Sequence, residues 1–324
     1  MFDLNTKKIK KFLRGTALES DVKFFNETSM LSSFKAGGKC ICIFFVINIA
    51  ELCKILNFLK KADISFYIIG GGTNTLFADD FIDVAVIKLA GDFNYIKIAS
   101  EDNRGDLGQD KGDDTIISAG AAYSLERFVV DTAKNGFDFS FLAGIPGTVG
   151  GAVAGNAGNA QSGICRYLKD ISYAGLKEHS FLSLRAQISG DDYAYRSFKL
   201  SFPAVITDIY LTAECADRTE IFKKIRHNIK IKKSVQPLNT KNAGCFFKNP
   251  SSEAKYNSGE MIDMCGLKGF KYGGARVSSK HANFLENYDN SSAGDIYILS
   301  KIVKDFVKKR FEINLEYEVK LVGF

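Results

Sequence analysis

The stretch on which the fold turns is Gly144-Ile145-Pro146-Gly147-Thr148-Val149-Gly150-Gly151-Ala152, running on through Asn156-Ala157-Gly158. Six glycines and one proline fall between residues 144 and 158. The segment is too apolar for a flexible linker. Glycine is the residue that lets backbone approach another group with no Cβ in the way. A second run, Gly70-Gly71-Gly72-Thr73-Asn74, lies about 75 residues earlier, directly after the apolar residues 65–69. A glycine run that follows a strand lets backbone amides converge on an oxyanion, and Thr73 and Asn74 add side-chain donors. The same residues also suit an ordinary tight turn, and the longer run also suits close packing of strand on helix. Neither run is a GxGxxG fingerprint, and neither leads into the GK[ST] of a P-loop. The pair suggests two walls of one cleft around a long phosphorylated cofactor.

Around these runs the first half of the chain mixes strands with few helices. The apolar run 41–50 reads as a buried strand. Leu52, Ile55, Leu56 and Leu59 recur at helical spacing within 50–61. Strands are expected at 65–69, 84–89, 171–174 and 204–212. A strand pair is expected from 95–98 and 115–118, with a polar loop over 101–114 between them. Residues 124–135 read as a helix with Ser124 as N-cap and Gly136 as its stop. Near residue 215 the texture changes. A lysine-rich helix over 217–233 carries Phe222, Ile225 and Ile229 on one face. A short helix over 258–265 is stopped by Gly266. The longest helix, 292–311, opens with Ser292 and has Asp295 three residues on, a capping-box spacing.

Composition narrows the function classes. The 324 residues are 46% apolar, enough for a sizeable core. The net charge is +6, from 43 Lys and Arg against 37 Asp and Glu, which is no argument for nucleic acid. No run approaches the roughly 20 apolar residues of a membrane span, and no signal peptide is expected at the N-terminus, so a cytoplasmic protein is expected. The seven cysteines are odd in number and form no CxxC pair, and there are three histidines. Neither a disulfide framework nor a metal site is suggested. Six cysteines read as small buried hydrophobes; Cys245 is set apart.

GGGTNTLF at 70–77, AGIPGTVGGAVAGNAG at 143–158, Tyr195-Arg196, NAGCFFKNP at 242–250, SSKHANFLEN at 278–287 and the terminal LEYEVKLVG together resemble, in order and over nearly the whole chain, the UDP-N-acetylenolpyruvoylglucosamine reductase family, in its shorter type II branch. The resemblance implies an α+β fold: a two-lobed FAD-binding domain of the vanillyl-alcohol-oxidase-like (PCMH) type over 1–214, then an α+β substrate-binding domain over 215–324 whose last strand can return to the flavin domain. It implies non-covalent FAD held by Gly70, Gly71, Gly72, Thr73, Asn74, Gly144, Ile145, Pro146, Gly147, Thr148, Gly150, Gly151, Asn156, Ala157 and Gly158. The implied reaction takes electrons from NADPH and reduces an enolpyruvyl ether to a lactyl ether, giving UDP-N-acetylmuramate for peptidoglycan.

That chemistry needs a hydride at the terminal enolpyruvyl carbon, a proton at its neighbour and stabilisation of charge on the carboxylate. A guanidinium offers paired donors with fixed charge, and Arg196 matches the family's arginine; the family's serine two residues later is Phe198 here. The proton donor implied is Cys245, where many members have serine. A thiol with a reference pKa of about 8.5 stays protonated at neutral pH yet gives up its proton more readily than a hydroxyl. The implied glutamate is Glu318, preceded by Tyr317 where proline is common. Glu316 would lie on the same side of a strand, and a surface ion pair is the plainer role for either carboxylate. Substrate contacts are expected from Tyr195, Lys232, Lys248, Asn249, Lys280 and Asn283, with Lys233 a further candidate for the diphosphate. His281 is expected to be structural. Two rivals use the same glycine runs: a flavin oxidase of a small alcohol, and a non-catalytic sugar-nucleotide binder. No histidine lies near either run to tether a flavin, and no protein partner is implied.

Overall fold

The structure is a computed structural model that describes residues 2–16, 18, 21–98, 115–159, 162–199, 204–213, 215–250 and 254–324. The loop expected over 101–114 lies outside the described residues. The chain forms two compact units. The first comprises Met1–Lys23, Ile43–Gly70 and Ala85–Lys230; the second comprises Phe24–Cys42, Gly71–Val84 and Ile231–Phe324. Compactness therefore divides the chain differently from a single boundary near 215.

Most of a four-stranded sheet belongs to the first unit. Its strands are β1 (Asp21–Phe24), β2 (Cys40–Val46), β3 (Phe66–Ile69) and, after β4 (Thr75–Phe77), β5 (Ile82–Leu89), in the order β1-β2-β5-β3. The expected strand 41–50 stops at Val46 because Asn48 turns the chain into α2 (Ile49–Lys61) by accepting the Glu51 N–H at 2.9 Å. Leu52, Ile55, Leu56 and Leu59 are the buried face of that helix. A further helix, α1 (Phe2–Gly15), was not expected from its lysine-rich sequence; Ile9 is fully buried and Phe12 stacks on Phe58 of α2 at 4.1 Å.

The same unit holds an antiparallel sheet of β6 (Ile96–Ile98), β7 (Thr115–Gly120), β8 (Leu168–Lys177), β9 (Ser180–Gln187) and β12 (Ala204–Ala213), in the order β6-β7-β12-β8-β9. The expected pair of 95–98 with 115–118 is present as Ile96↔Ala119 through Ile98↔Ile117. Between β9 and β12 lies a short hairpin, β10 (Tyr193–Ala194) and β11 (Ser197–Phe198). Asn57 of α2 exchanges two hydrogen bonds with the backbone of Phe181 on β9, at 3.1 and 2.7 Å. Against the sheet pack α3 (Leu125–Lys134) and α4 (Val149–Ala154), around a core that includes Ile117, Phe128, Phe139, Leu142, Val153 and Ile209. Ser124 caps α3 and Gly136, at φ +82, ends it. The first turns of α5 (Arg218–Val235) add Ile221 and Ile225 to this core.

In the second unit β4 pairs in parallel with the last strand, β16 (Lys320–Val322), Lys320 opposite Thr75. The C-terminal strand thus pairs with a strand from the first quarter of the chain. A small sheet of β13 (Lys271–Tyr272), β14 (Ala275–Val277) and β15 (Leu285–Asn287) lies beside α6 (Ser258–Met264) and α7 (Ala293–Phe311). The expected capping box of Ser292 and Asp295 opens α7. Asp79 adds a second cap, its two oxygens accepting the Ala293 and Gly294 N–H groups at 2.8 and 2.7 Å. Phe34, Phe246, Phe247, Met261, Leu299 and Val303 form the core. Each fully buried side chain of this size is worth about 1.5–3 kcal/mol relative to exposure.

Two expectations are corrected. Cys215 is exposed, and Cys53 and Cys265 are only half-buried, so three of the six expected buried cysteines are not fully inside. Cys215 sits on an isolated bridge to Phe137 rather than within a sheet. Residues 316–318 are not strand; Tyr317 makes an isolated bridge to Phe247, and regular pairing begins at Lys320. Among the described residues no helix is long and apolar enough to cross a membrane.

Candidate active site

In the first unit the long glycine run is turned into a short helix. Thr148 accepts the Gly151 N–H at 3.2 Å and caps α4. Its backbone makes a bridge to Ser124, and the Leu125 N–H donates to Gly147 O at 3.0 Å. A Cβ at Gly70 would lie 2.6 Å from Thr148 Oγ1, so the end of β3 closes directly on the cap of α4. This brings Gly70 of the first run to Thr148 of the second. Gly144 and Gly147 have φ +73 and +123, backbone that side chains rarely adopt. Gly150 and Gly151 differ. A Cβ at Gly150 would lie 2.6 Å from Ala121 Cβ and 2.9 Å from its carbonyl, whereas at Gly151 the nearest atom is Thr148 Oγ1 at 3.3 Å. Gly151 is exposed.

Arg196 is carried on the two-residue turn between β10 and β11, with left-handed backbone at φ +51. Its Nη1 donates to Asn156 O at 3.4 Å and its Nη2 to Gly158 O at 3.2 Å. Asn156 Nδ2 donates to Ala194 O at 2.9 Å, and Asn156 Oδ1 accepts the Cys165 N–H at 3.1 Å. Tyr195 is 53% exposed, with its ring 5.4 Å from the guanidinium. The structure thus draws Tyr195 and Arg196 onto the end of the long glycine run.

In the second unit four distant segments converge. Gly72, at φ +68, has no room for a Cβ against the Leu31 carbonyl, and the Ser33 N–H donates to Gly72 O at 3.0 Å. Asn74 Nδ2 donates to Glu318 O at 3.1 Å, and the Lys320 N–H donates to Asn74 O at 3.0 Å. The Glu318 N–H in turn donates to Phe246 O at 2.9 Å, and the Lys248 N–H to Glu316 O at 2.9 Å. Glu318 is therefore held between Asn74 and the segment that carries Cys245. Cys245 is half-buried and follows Gly244, at φ +78. Tyr317 stacks on Phe247 at 5.6 Å, and its hydroxyl meets Ser300 of α7 at 3.2 Å.

These residues fit a hydrogen-bonding cofactor. Ser33 Oγ, beside the glycine loop, and Asn74 Oδ1, at its end, are buried without a hydrogen-bond partner among the described residues. Buried polar atoms are normally satisfied. The segment around Leu31 and Ser33 was missed from sequence, because its contact with Gly72 is long-range and leaves no local pattern.

The expected substrate residues separate. A cavity of about 460 Å³ is lined by Lys233, Gln236, Pro237, Arg276, Ser278 and Lys280 among others. Lys280 Nζ donates to Lys233 O. Lys233 rather than Lys232 lines it, and Lys248 and Asn249 are not among its lining residues. Lys248 pairs with Glu316 at 3.4 Å, so Glu316 makes a surface ion pair. Asn249 Oδ1 accepts the Ser258 N–H at 3.2 Å. Asn283 does not fit the contact expected of it: it is 2% exposed, and its amide is engaged with the Phe247 backbone at 3.0 and 2.8 Å. His281 Nδ1 accepts the Asn283 N–H at 3.2 Å. Burial, and then the nearby Lys268, hold the His281 pKa below its ordinary value.

Comparison with known proteins identifies the family. Residues 236–322 match the family model described as UDP-N-acetylenolpyruvoylglucosamine reductase, C-terminal domain, and residues 41–172 match an FAD binding domain. A UDP-N-acetylenolpyruvoylglucosamine reductase of Wolbachia sp. subsp. Drosophila simulans (strain wRi) is 32% identical over 289 residues, covering 89% of this chain and 90% of that protein. The chain belongs to the UDP-N-acetylenolpyruvoylglucosamine reductase family. A reductase of this family from Bacillus subtilis (strain 168) is 30% identical over 92% of the chain and 91% of that protein. The crystal structure of a UDP-N-acetylenolpyruvylglucosamine reductase from Thermus caldophilus superposes with a TM-score of 0.73 at 26% identity, covering 95% of this chain and all of that one. The α+β fold with an FAD-binding domain follows. Both glycine runs lie inside the 41–172 match, and Cys245, Lys280 and Glu318 lie inside the C-terminal match of the reductase family.

Proposed function

We propose that this chain reduces UDP-N-acetylenolpyruvoylglucosamine to UDP-N-acetylmuramate, a step of peptidoglycan precursor synthesis, with non-covalent FAD and with NADPH as co-substrate. The observation that carries this reading is the position of Glu318, hydrogen-bonded through its backbone to Asn74 on one side and to Phe246, the neighbour of Cys245, on the other. It supports placing a cofactor-loop residue, a carboxylate and a thiol in one working group. A flavin oxidase of a small alcohol has no need of that set.

The chemistry a bound FAD supplies is hydride transfer, from NADPH to the terminal carbon of the enolpyruvyl group. The residues assigned to hold it are Gly70–Asn74 and the run from Gly144 to Gly158. Arg196 is assigned to the substrate carboxylate, where charge develops as the double bond is reduced. Cys245 is assigned to deliver a proton to the carbon next to the ether oxygen, and Glu318 to polarise the enol acid. Residues 1–214 are assigned to the cofactor and 215–324 to the substrate. The cavity with Lys233 and Lys280 suits the anionic diphosphate, with Tyr195, Lys232, Lys248 and Asn249 as further contacts. The enzyme acts in the cytoplasm, where its nucleotide substrates are made, without nucleic acid, membrane or an obligate protein partner.

The test is anaerobic and optical. Purified protein should be yellow, bleach with NADPH and regain its colour on addition of the enolpyruvyl sugar nucleotide. Colour that returns only with oxygen would favour the oxidase; protein that binds the sugar nucleotide but no flavin would favour the non-catalytic binder.

A further inference from the structure

The backbone of Phe246, Phe247 and Lys248 has almost every polar group accounted for. On one side the Glu318 N–H donates to Phe246 O at 2.9 Å and the Lys248 N–H donates to Glu316 O at 2.9 Å. On the other side a single residue does the work of a neighbouring strand. The Phe246 N–H donates to Asn283 O at 2.7 Å, the Phe247 N–H donates to Asn283 Oδ1 at 3.0 Å, and Asn283 Nδ2 donates to Phe247 O at 2.8 Å. A side-chain amide offers one acceptor and one donor at the spacing of a peptide group. The chain around Asn283 is a tight loop, closed by the Phe284 N–H on His281 O at 2.9 Å, and cannot itself run alongside as a strand.

Asn283 is 2% exposed and lies among Phe246, Phe247, Ala282 and Phe284, each 3% exposed or less. A polar side chain in such a place is costly unless fully hydrogen-bonded. An aliphatic side chain of the same size would pack there but leave the Phe247 N–H and C=O unpaired in the core. The Phe246 N–H, held by the Asn283 main-chain carbonyl, belongs to the peptide unit that follows Cys245; the Asn283 side chain holds the N–H and C=O of Phe247, the next residue; and left-handed Gly244, whose N–H donates to Asn242 Oδ1 at 2.9 Å, fixes the other side. The loop of Asn283 also carries Lys280 to the cavity.

We infer that Asn283 is a positioning residue for Cys245: it sets where the thiol stands and touches no substrate. The inference rests on the reading of Cys245 as proton donor. A misplacement of about 1 Å can cost on the order of 10²-fold in rate, so the effect belongs in the step that uses the proton.

The experiment uses the FAD-loaded enzyme with Asn283→Asp, which keeps the shape and one acceptor but loses the donor to Phe247 O. Asn283→Ser serves if the aspartate variant does not accumulate. Flavin reduction by NADPH should stay within about threefold of wild type, and KM for the enolpyruvyl substrate should move by no more. Flavin reoxidation by substrate should slow by roughly 10–10²-fold. The rate of Cys245 alkylation by iodoacetamide, read by mass spectrometry, should change severalfold. In a Cys245→Ala background the Asn283 substitution should add little to the loss of reoxidation rate, since groups acting through one another are not additive. A KM raised tenfold with reoxidation at saturation intact would make Asn283 a substrate contact and overturn the inference. An additive loss in the double variant, or unchanged alkylation, would overturn it as well. Normal turnover of Cys245→Ala alone would instead remove the parent reading, whatever Asn283 does to alkylation.

Discussion

Asn156 and Arg196 are tied together twice. The Arg196 guanidinium donates to Asn156 O at 3.4 Å, and Asn156 Nδ2 donates to Ala194 O, two residues before Arg196, at 2.9 Å. Both residues have left-handed backbone, at φ +40 and +51. The turn and the glycine-rich loop are held by one another. The guanidinium therefore starts from a fixed place at the end of the glycine run.

That fixed fork makes Arg196→Lys informative. Lysine keeps the charge but loses the planar pair of donors. Flavin reduction by NADPH should be largely spared, while reoxidation by the enolpyruvyl substrate should fall by about 10²–10³-fold, the range for loss of one positioned donor to developing charge. Stopped-flow measurement of the two half-reactions separates them. Equal losses in both would assign Arg196 to the fold or to NADPH.

Gly150 and Gly151 should behave as opposites although they are adjacent. A Cβ at Gly150 runs into Ala121 backbone, and overpacking of that kind costs about 1–3 kcal/mol. Gly150→Ala should lower the melting temperature of the flavin-free protein. At Gly151 an added Cβ meets only the Thr148 side chain, whose Oγ1 at 3.3 Å must give by a few tenths of an ångström, and alanine within a helix gains about 0.5–1 kcal/mol over glycine. Gly151→Ala should melt no lower than wild type yet bind FAD more weakly, read by titration of flavin fluorescence. Undiminished FAD affinity in Gly151→Ala would show that this exposed face of α4 is not the cofactor wall.

His281 gives the second unit an acid sensitivity. Its folded-state pKa lies below the ordinary value of 6.5, because burial and Lys268 disfavour the imidazolium, with Asp263 opposing weakly. Below pH 6.5 the unfolded chain therefore binds a proton that the folded chain resists, and stability falls as pH drops through that range. The Asn283 N–H that His281 Nδ1 accepts needs the neutral ring. Urea unfolding at pH 7.5 and 5.5 should show a loss in acid that His281→Gln, which can still accept that hydrogen bond, reduces. An identical acid loss in the variant would place the sensitivity elsewhere.

How much of this was legible in the sequence depended on distance along the chain. Ser124 and Ser292 announce their helices because a cap acts within three residues, whereas Asn48 is hidden inside the apolar run 41–50. The helix α4 was not legible, since glycine disfavours helix, and only the Thr148 cap and burial of Val149 and Val153 impose it. The strands β13 to β15 are two or three residues long, too short for alternation to register. In the site, motif resemblance points to Cys245 and Glu318, but the bond between Asn74 and Glu318 spans 244 residues and has no local trace. The burial of Asn283 was invisible for the same reason: its partners are 36 residues away. Lys232 and Lys233 look alike in sequence, and helix phase alone decides which one lines the cavity.

Cys245 is where proton donation and packing predict different orders of variants. Gly244 and the Phe246 amide fix its backbone from both sides, so Cys245→Ala and Cys245→Ser should leave the chain in place. Alanine removes the acidic proton, while serine keeps a protonated group of similar size. If the thiol is the donor, the alanine variant should still bind FAD and accept reducing equivalents from NADPH. It should then fail to pass them productively to the substrate, by about 10²–10⁴-fold, the range for loss of a general acid. Serine should restore much of that rate, because a hydroxyl held in the same place can still protonate carbon, if less readily. In D₂O the wild type should place one solvent deuterium on the lactyl carbon next to the ether oxygen, with a single configuration by NMR. A packing role predicts the reverse pattern: both variants turn over nearly normally and differ from wild type in melting temperature alone. Near-normal turnover of Cys245→Ala would remove the thiol from the mechanism, and the proton would have to reach that carbon from water or from Glu318, which the same backbone ladder holds beside Phe246.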